Sequence, residues 1–198
     1  SLLHFDSDFS DVKGKTWTGS GSPTIDATTK KFGSGSLLTS SSNYISSASS
    51  ADWAFGTGDY TVEAWVICAA LPTGLWFSPL GNWASSAGWC FFLKTNGYVN
   101  YNFGGSAIGG DSVLFPLNQF VHIAYSRESG TGRLFIDGNL AGSVGDSVNM
   151  TWTTGVRIGR NSTTDDIWPG HVDEVRITKG VARYTDNFTP PTAPFPTS

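Results

Sequence analysis

The sequence predicts an all-β protein, a sandwich of antiparallel strands, and three of its features point there. It has 24 glycines, 14% aromatic residues and 14% charged residues, a composition that avoids long helices and suits strands joined by tight turns. Short apolar segments bounded by Gly, Ser, Asn and Pro recur along all 198 residues, as strands do. In "GRLFIDGNLAGSV" the dipeptide Asp137-Gly138 separates two apolar runs, and such a pair supplies the positive φ of a type I′ hairpin turn. Sandwiches of this length commonly hold one core, so one domain is expected over residues 1–198.

Taken in order, strands are expected at residues 2–5, 36–39, 60–68, 89–94, 98–103, 120–126, 133–136, 155–159 and 172–178. In "DYTVEAWVIC" one face carries Tyr60, Val62, Ala64, Val66 and Cys68, and the other Thr61, Glu63, Trp65 and Ile67. Both faces are largely apolar, which places this strand at the centre of a sheet. Residues 69–88, 104–118 and 160–170 read as long loops, and loops of this length are often where binding occurs. The tail "TPPTAPFPTS" should be extended, because proline has no amide donor. Residues 186–198 are expected either to pack on the sandwich or to leave it.

The net charge of −4 comes from 12 basic and 16 acidic residues scattered along the chain. No basic stripe exists to neutralise a phosphate backbone, so nucleic acid is not an expected partner. No run approaches the roughly 20 apolar residues of a membrane span, and "SLLHF" lacks the charged and apolar regions of a signal peptide. A soluble chain cut from something longer is expected, without membrane insertion. Cys68 and Cys90 are too few and too far apart for a zinc site, which leaves a disulfide between neighbouring strands or two buried thiols.

The succession "LLHFD", "KKFGSGSLL", "NYI", "DWAFGTGDYTVEAWV", "RLFIDGNLAGS" and "GHVDEVRITKGVARYTDNFTPPTAPFP" closely resembles the laminin-G-like, concanavalin-A-like jelly rolls. More narrowly, it resembles the version found in bacteriophage structural proteins, including tail and fibre proteins. The resemblance covers nearly the whole chain and implies two curved antiparallel sheets, a jelly-roll sandwich with its first and last strands adjacent. In "NQFVHIAYSR" Phe120 takes the family's aromatic slot and His122 its histidine slot. Residues 69–88 are the least family-like stretch.

Such folds serve as lectins, adhesion modules, glycosidases and spacers, so function has to be read from sites. A glycosidase needs two carboxyl groups facing each other about 5 to 9.5 Å apart. The related laminarinase-type enzymes carry E-x-D-x-x-E on one strand, but here that strand offers Glu63 alone. Asp173 and Glu174 are adjacent, and neighbours on a regular strand point to opposite faces. Ser143 in "AGSVG" lacks the strand-to-helix context of a nucleophile elbow. His4, His122 and His171 are far apart in sequence and read as packing or hydrogen-bonding residues, and Glu174 with Arg176 reads as an exposed pair. No catalytic residues are assigned.

Two binding sites are expected. By resemblance, a structural Ca²⁺ would take oxygens from Asp173, Asp6 and the turn from Gly33 to Ser36; the alternative is that Asp173 accepts hydrogen bonds from that turn. The second rests on tryptophan. Trp53, Trp65 and Trp89 read as core, whereas Trp76, Trp83, Trp152 and Trp168 lie in or beside turns. A sugar stacks its C–H face on such a ring and bonds its hydroxyls to amides and carboxylates. Trp76, Asn82 and Trp83 on one loop, with Asn161, Asp165, Asp166 and Trp168 on another, form the expected carbohydrate site. The reading is a non-enzymatic module on a virion surface, binding host surface polysaccharide beside other virion proteins, with homo-oligomerisation through the parent protein. The alternative is a decoration or docking domain without glycan binding.

Overall fold

A computed structural model of the chain describes residues 1–74, 76–83, 87–161 and 166–197. Its strands are β1 (Leu2–Leu3), β2 (Trp17–Ser20), β3 (Thr24–Asp26), β4 (Ser36–Thr39), β5 (Tyr44–Ser47), β6 (Tyr60–Cys68), β7 (Leu80–Gly81), β8 (Trp89–Leu93), β9 (Tyr98–Phe103), β10 (Ser106–Leu114), β11 (Val121–Glu128), β12 (Thr131–Ile136), β13 (Asn139–Gly145), β14 (Arg157–Ile158) and β15 (Gly170–Lys179). They form two antiparallel sheets. The eight-stranded one runs β13-β12-β11-β6-β15-β4-β3, with β1 added beside β15, and the seven-stranded one runs β10-β9-β8-β7-β14-β5-β2. The jelly-roll sandwich and the adjacency of first and last strands are as the sequence predicts.

Strand alternation decides which residues fill the space between the sheets. Tyr60, Val62, Ala64 and Val66 of β6 enter one continuous core with Trp89, Phe91 and Leu93 of β8 and Tyr101 of β9. Tyr101 and Tyr125 stack across the sheets with ring centroids 3.9 Å apart. Near one end of this core the Arg127 guanidinium is fully buried; it donates to the carbonyls of Gly56, Gly58 and Val148 and pairs with Asp146 at 3.3 Å. A buried charge survives when every donor finds an acceptor. Asp137 (φ 47°) and Gly138 (φ 73°) both lie in the left-handed region at the β12–β13 turn, as its sequence requires.

Two of the expected loops contain strands. Within residues 104–118 lies β10, paired with β9 with a register shift between Gly109 and Leu114. Its glycines obscure a strand pattern, and β13 meets it at a glycine as well: a Cβ on Gly142 of β13 would lie 2.5 Å from the Gly109 carbonyl oxygen. Within residues 69–88, Phe77 bridges Leu93, and β7 is inserted between β8 and β14. Cys68 and Cys90 are both free and buried, on different sheets.

The last strand contains a bulge that sequence alternation does not foresee. Asp173 opposes Trp65 and Arg176 opposes Glu63, so the register shifts between them. Glu174 sits at the shift with φ 49°. One extra residue restores the alternation: Val172, Val175 and Ile177 all face the core, and Arg176 is placed beside Glu63. Beyond β15 the tail turns back over the outer face of the eight-stranded sheet. Tyr184 and Phe188 stack at 3.7 Å, Phe188 lies against His122 and Phe135, and Phe195 joins Leu2 and Trp65 in a small apolar cluster.

Candidate functional site

The two outer faces of the sandwich differ in kind. That of the eight-stranded sheet is covered, and its carboxylates are engaged, although Trp65 Nε1 and His122 Nδ1 are buried there without a hydrogen-bond partner among the described residues. Glu63 is fully buried; one carboxylate oxygen accepts from Arg176 Nε at 2.7 Å, and the other from Tyr184 Oη at 2.7 Å while lying 3.1 Å from His122 Nε2. Burial pushes its carboxyl up, but the His122 hydrogen bond and the Arg176 charge outweigh that and hold it below the ordinary carboxylate value. Glu174 accepts from the Phe195 amide at 2.7 Å and lies 2.7 Å from His4 Nδ1. It is 1% exposed, not the exposed partner of Arg176 that strand alternation suggests; the bulge is the reason. All three histidines face carboxylates, the third being His171 beside Asp26 at 3.0 Å. Trp65 is buried on this outer face beneath Phe195 and Phe32, with Lys31 Nζ 3.9 Å from its ring centroid, and is not part of the inter-sheet core.

The four residues expected to hold calcium do meet at one turn, with a different chemistry. Asp173 Oδ2 accepts from the amides of Lys31 and Phe32 at 2.8 and 3.2 Å, and Oδ1 from the Glu174 amide at 2.8 Å. Asp6 accepts from the Ser34 amide at 2.6 Å, close against Gly33, where a Cβ would collide with its carboxylate. The Ser36 hydroxyl donates to the Thr29 carbonyl. Both oxygens of Asp173 face N–H donors, whereas Ca²⁺ takes six to eight oxygens, so this donor set does not fit the ion. Among the described residues no group of three or more His, Cys, Asp or Glu could hold a metal. Burial outweighs the amide donors and pushes the Asp173 carboxyl up to about 7.

The outer face of the seven-stranded sheet is built differently. Along β8, Trp89, Phe91 and Leu93 belong to the core, so Cys90 and Phe92 alternate to the outside. Along β9, Tyr101 is core and Asn100 and Asn102 lie outside, opposite Phe92 and Cys90. Trp76 is 42% exposed and meets the Phe92 ring edge-on at 4.9 Å. Gly81 pairs with Cys90, and Asn161 Nδ2 lies 3.8 Å from Cys90 Sγ, so the two expected loops converge on this face. Exposed ring, buried ring and outward amides thus share one surface.

Several residues assigned to the sugar site have other work. Trp168 is 1% exposed in the inter-sheet core; its Nε1 donates to the carbonyls of Ile67 (3.1 Å) and His171 (3.3 Å), and its ring meets Phe115. It caps the core and cannot present a face to ligand. Asn82 is buried, accepting from the Trp89 amide at 2.9 Å and donating to the Thr154 carbonyl at 3.3 Å. Asn161 is buried too, with Nδ2 3.4 Å from the half-buried Asp166. Trp83 is half-buried, and Asp165 lies outside the described residues. Phe92, Asn100 and Asn102 were missed, although the period-two pattern of "WCFFL" and "YVNYNF" carries the signal.

Two packed antiparallel sheets, one outer face sealed and the other bearing an exposed tryptophan among amides, define a lectin-like β sandwich. The chain belongs to the family described as the concanavalin A-like lectin/glucanases superfamily, of laminin-G type, whose model matches residues 39–183. No curated protein sequence matches it. Among solved structures it resembles domain 4 of AbnA, a GH43 extracellular arabinanase from Geobacillus stearothermophilus in complex with arabinotriose, at 19% identity and TM-score 0.71 over 92% of each chain. It also resembles the botulinum neurotoxin serotype G binding domain (12% identity, TM-score 0.69), matching 92% of this chain and 48% of that one. The cellulose induced protein Cip1 is similar at 16% identity and TM-score 0.61, over 89% of this chain and 96% of that one. At these identities the likeness establishes the fold.

Proposed function

We propose that this domain is a non-enzymatic carbohydrate-binding module whose sugar docks on the outer face of the seven-stranded sheet at Trp76. One observation carries the reading: an exposed indole stands on the buried Phe92 ring, beside outward amides, on the face that the tail leaves open. An aromatic platform with adjacent amides suits the C–H face and hydroxyls of a sugar. Two neighbours of the same fold support it, one named as bound to arabinotriose and the other as a toxin's binding domain. Glu63, enclosed under the tail with both oxygens bonded, supports a binding role over hydrolysis. The motif order resembles phage tail and fibre domains, so we place the module on a virion surface, against host polysaccharide and beside other virion proteins. Copies displayed together, including through oligomerisation of a parent protein, would gain avidity.

The test is binding of the bead-multimerised domain to a panel of bacterial surface polysaccharides, with Trp76→Ala beside it. Binding that disappears in the folded variant is the expected result. Silence of the wild-type domain across the panel would turn the reading to a decoration or docking role.

A further inference from the structure

Stacking on Trp76 does not account for Asn100. This residue is 8% exposed, and its Oδ1 has no hydrogen-bond partner among the described residues, although buried polar atoms are nearly always paired. In register it lies between Phe92 on β8 and Gly109 on β10, and directly opposed residues share a face. Gly109 contributes no side chain there. A Cβ built on it would lie 2.6 Å from Asp111 Oδ2 and 2.9 Å from Oδ1, so the Asp111 carboxylate folds back over the gap. The register shift of β10 after Gly109 accompanies that placement. Across three strands the surface therefore reads aromatic ring, amide and bare backbone, with a carboxylate above the last.

Resting on the glycan reading above, we propose that Asn100 and Asp111 read two neighbouring free hydroxyls and thereby select an uncharged sugar. The amide oxygen and the carboxylate are both acceptors, and a vicinal diol supplies two O–H donors while its ring lies on Trp76. Hydrogen bonds to a carboxylate are the stronger kind, so Asp111 would contribute most of the discrimination. A uronate would bring its charge against that of Asp111. O-methylation or O-acetylation removes the donor, and a site built to bond a hydroxyl rejects the analogue lacking it.

The experiment is calorimetric titration of the whole domain with arabinotriose, cellotriose and galactotriose, the per-O-methyl derivative of each, and trigalacturonate. Wild type, Asn100→Leu, Asp111→Asn and Trp76→Ala are compared, each checked for an intact thermal transition. The expected result is that at least one neutral trisaccharide binds and that methylation and Asn100→Leu each weaken it about tenfold or more. Asp111→Asn should weaken it as well and narrow the preference over trigalacturonate. Neutral binding that is lost in Trp76→Ala but unchanged by Asn100→Leu, Asp111→Asn and methylation overturns this inference and leaves the glycan reading standing. No binding of any trisaccharide to the wild type overturns both.

Discussion

Arg176 Nε donates to Glu63 Oε1 across 2.7 Å, between strands whose register brings the two side chains together only because Glu174 is the extra residue of a bulge. The pair is sealed by the tail, with Tyr184 and His122 on the other carboxylate oxygen and Arg183 Nε 3.9 Å from Oε1. The lone acid that the sequence offers on the central strand is thus part of the fastening for the C-terminal segment.

Removing the carboxylate strands a buried cation. Glu63→Ala should lower stability by about 3–5 kcal/mol, the usual cost of breaking a buried pair. Because the folded Glu63 carboxyl lies below its ordinary value, its stabilisation is present above that value and is lost as pH falls through the folded one. Denaturant titrations at several acidic pH values should show a shallower acid-side loss for Glu63→Gln than for wild type.

Asp173 titrates with the opposite sign. Its folded value of about 7 lies above the ordinary 3.8, so the folded state holds the proton more tightly, and stability declines as pH rises from about 4 to about 7. Asp173→Asn should flatten that decline in thermal scans across the window. Asp173→Ala, which orphans three amides, should cost about 2–3 kcal/mol. The wild-type melting temperature should be the same in calcium and in chelator; a chelator-induced drop would show that this turn holds an ion.

Two tryptophans assigned to one site should separate experimentally. Trp168→Ala empties a core position and should cost about 3–5 kcal/mol. Trp76→Ala, at an exposed position, should change stability by about 0.5 kcal/mol or less while removing glycan binding. Paired melting and binding assays check both; loss of binding in a Trp168 variant that retains full stability would contradict this division.

The tail is held at identifiable points. A Cβ on Gly138 would fall 1.9 Å from the Phe188 carbonyl oxygen, and Phe188 donates its amide to the Gly138 carbonyl. Gly138→Ala and Glu174→Gln should each loosen residues 181–197, one through collision and the other by weakening the acceptor of the Phe195 amide. Faster hydrogen exchange at Phe188 and Phe195, with the β6 amides still protected, is the expected pattern.

What the sequence conceals follows from its physics. β6 declares itself because both faces are apolar, and the β12–β13 turn because Asp-Gly suits its backbone. β10 is hidden by glycine, the residue that lets the edges of the two sheets approach. The bulge at Glu174 is invisible because nothing local marks it; long-range packing of Val172 and Val175 sets it. The same holds for the site. Trp76 was legible as an aromatic on a loop, but Trp168 could not be told from it without knowing which ring the core would absorb. Asn100 passed unnoticed because its significance lies in its neighbours across the sheet, Phe92 and Gly109.

The small cluster of Leu2, Trp65 and Phe195 brings the two ends of the chain to the same side of the domain, and Lys13 Nζ adds a hydrogen bond to the Thr197 carbonyl. A body tethered through either end is therefore anchored from behind the eight-stranded sheet. Trp76 lies against Phe92 of the other sheet, so such an anchor leaves the proposed glycan face clear for whatever surface the tether approaches.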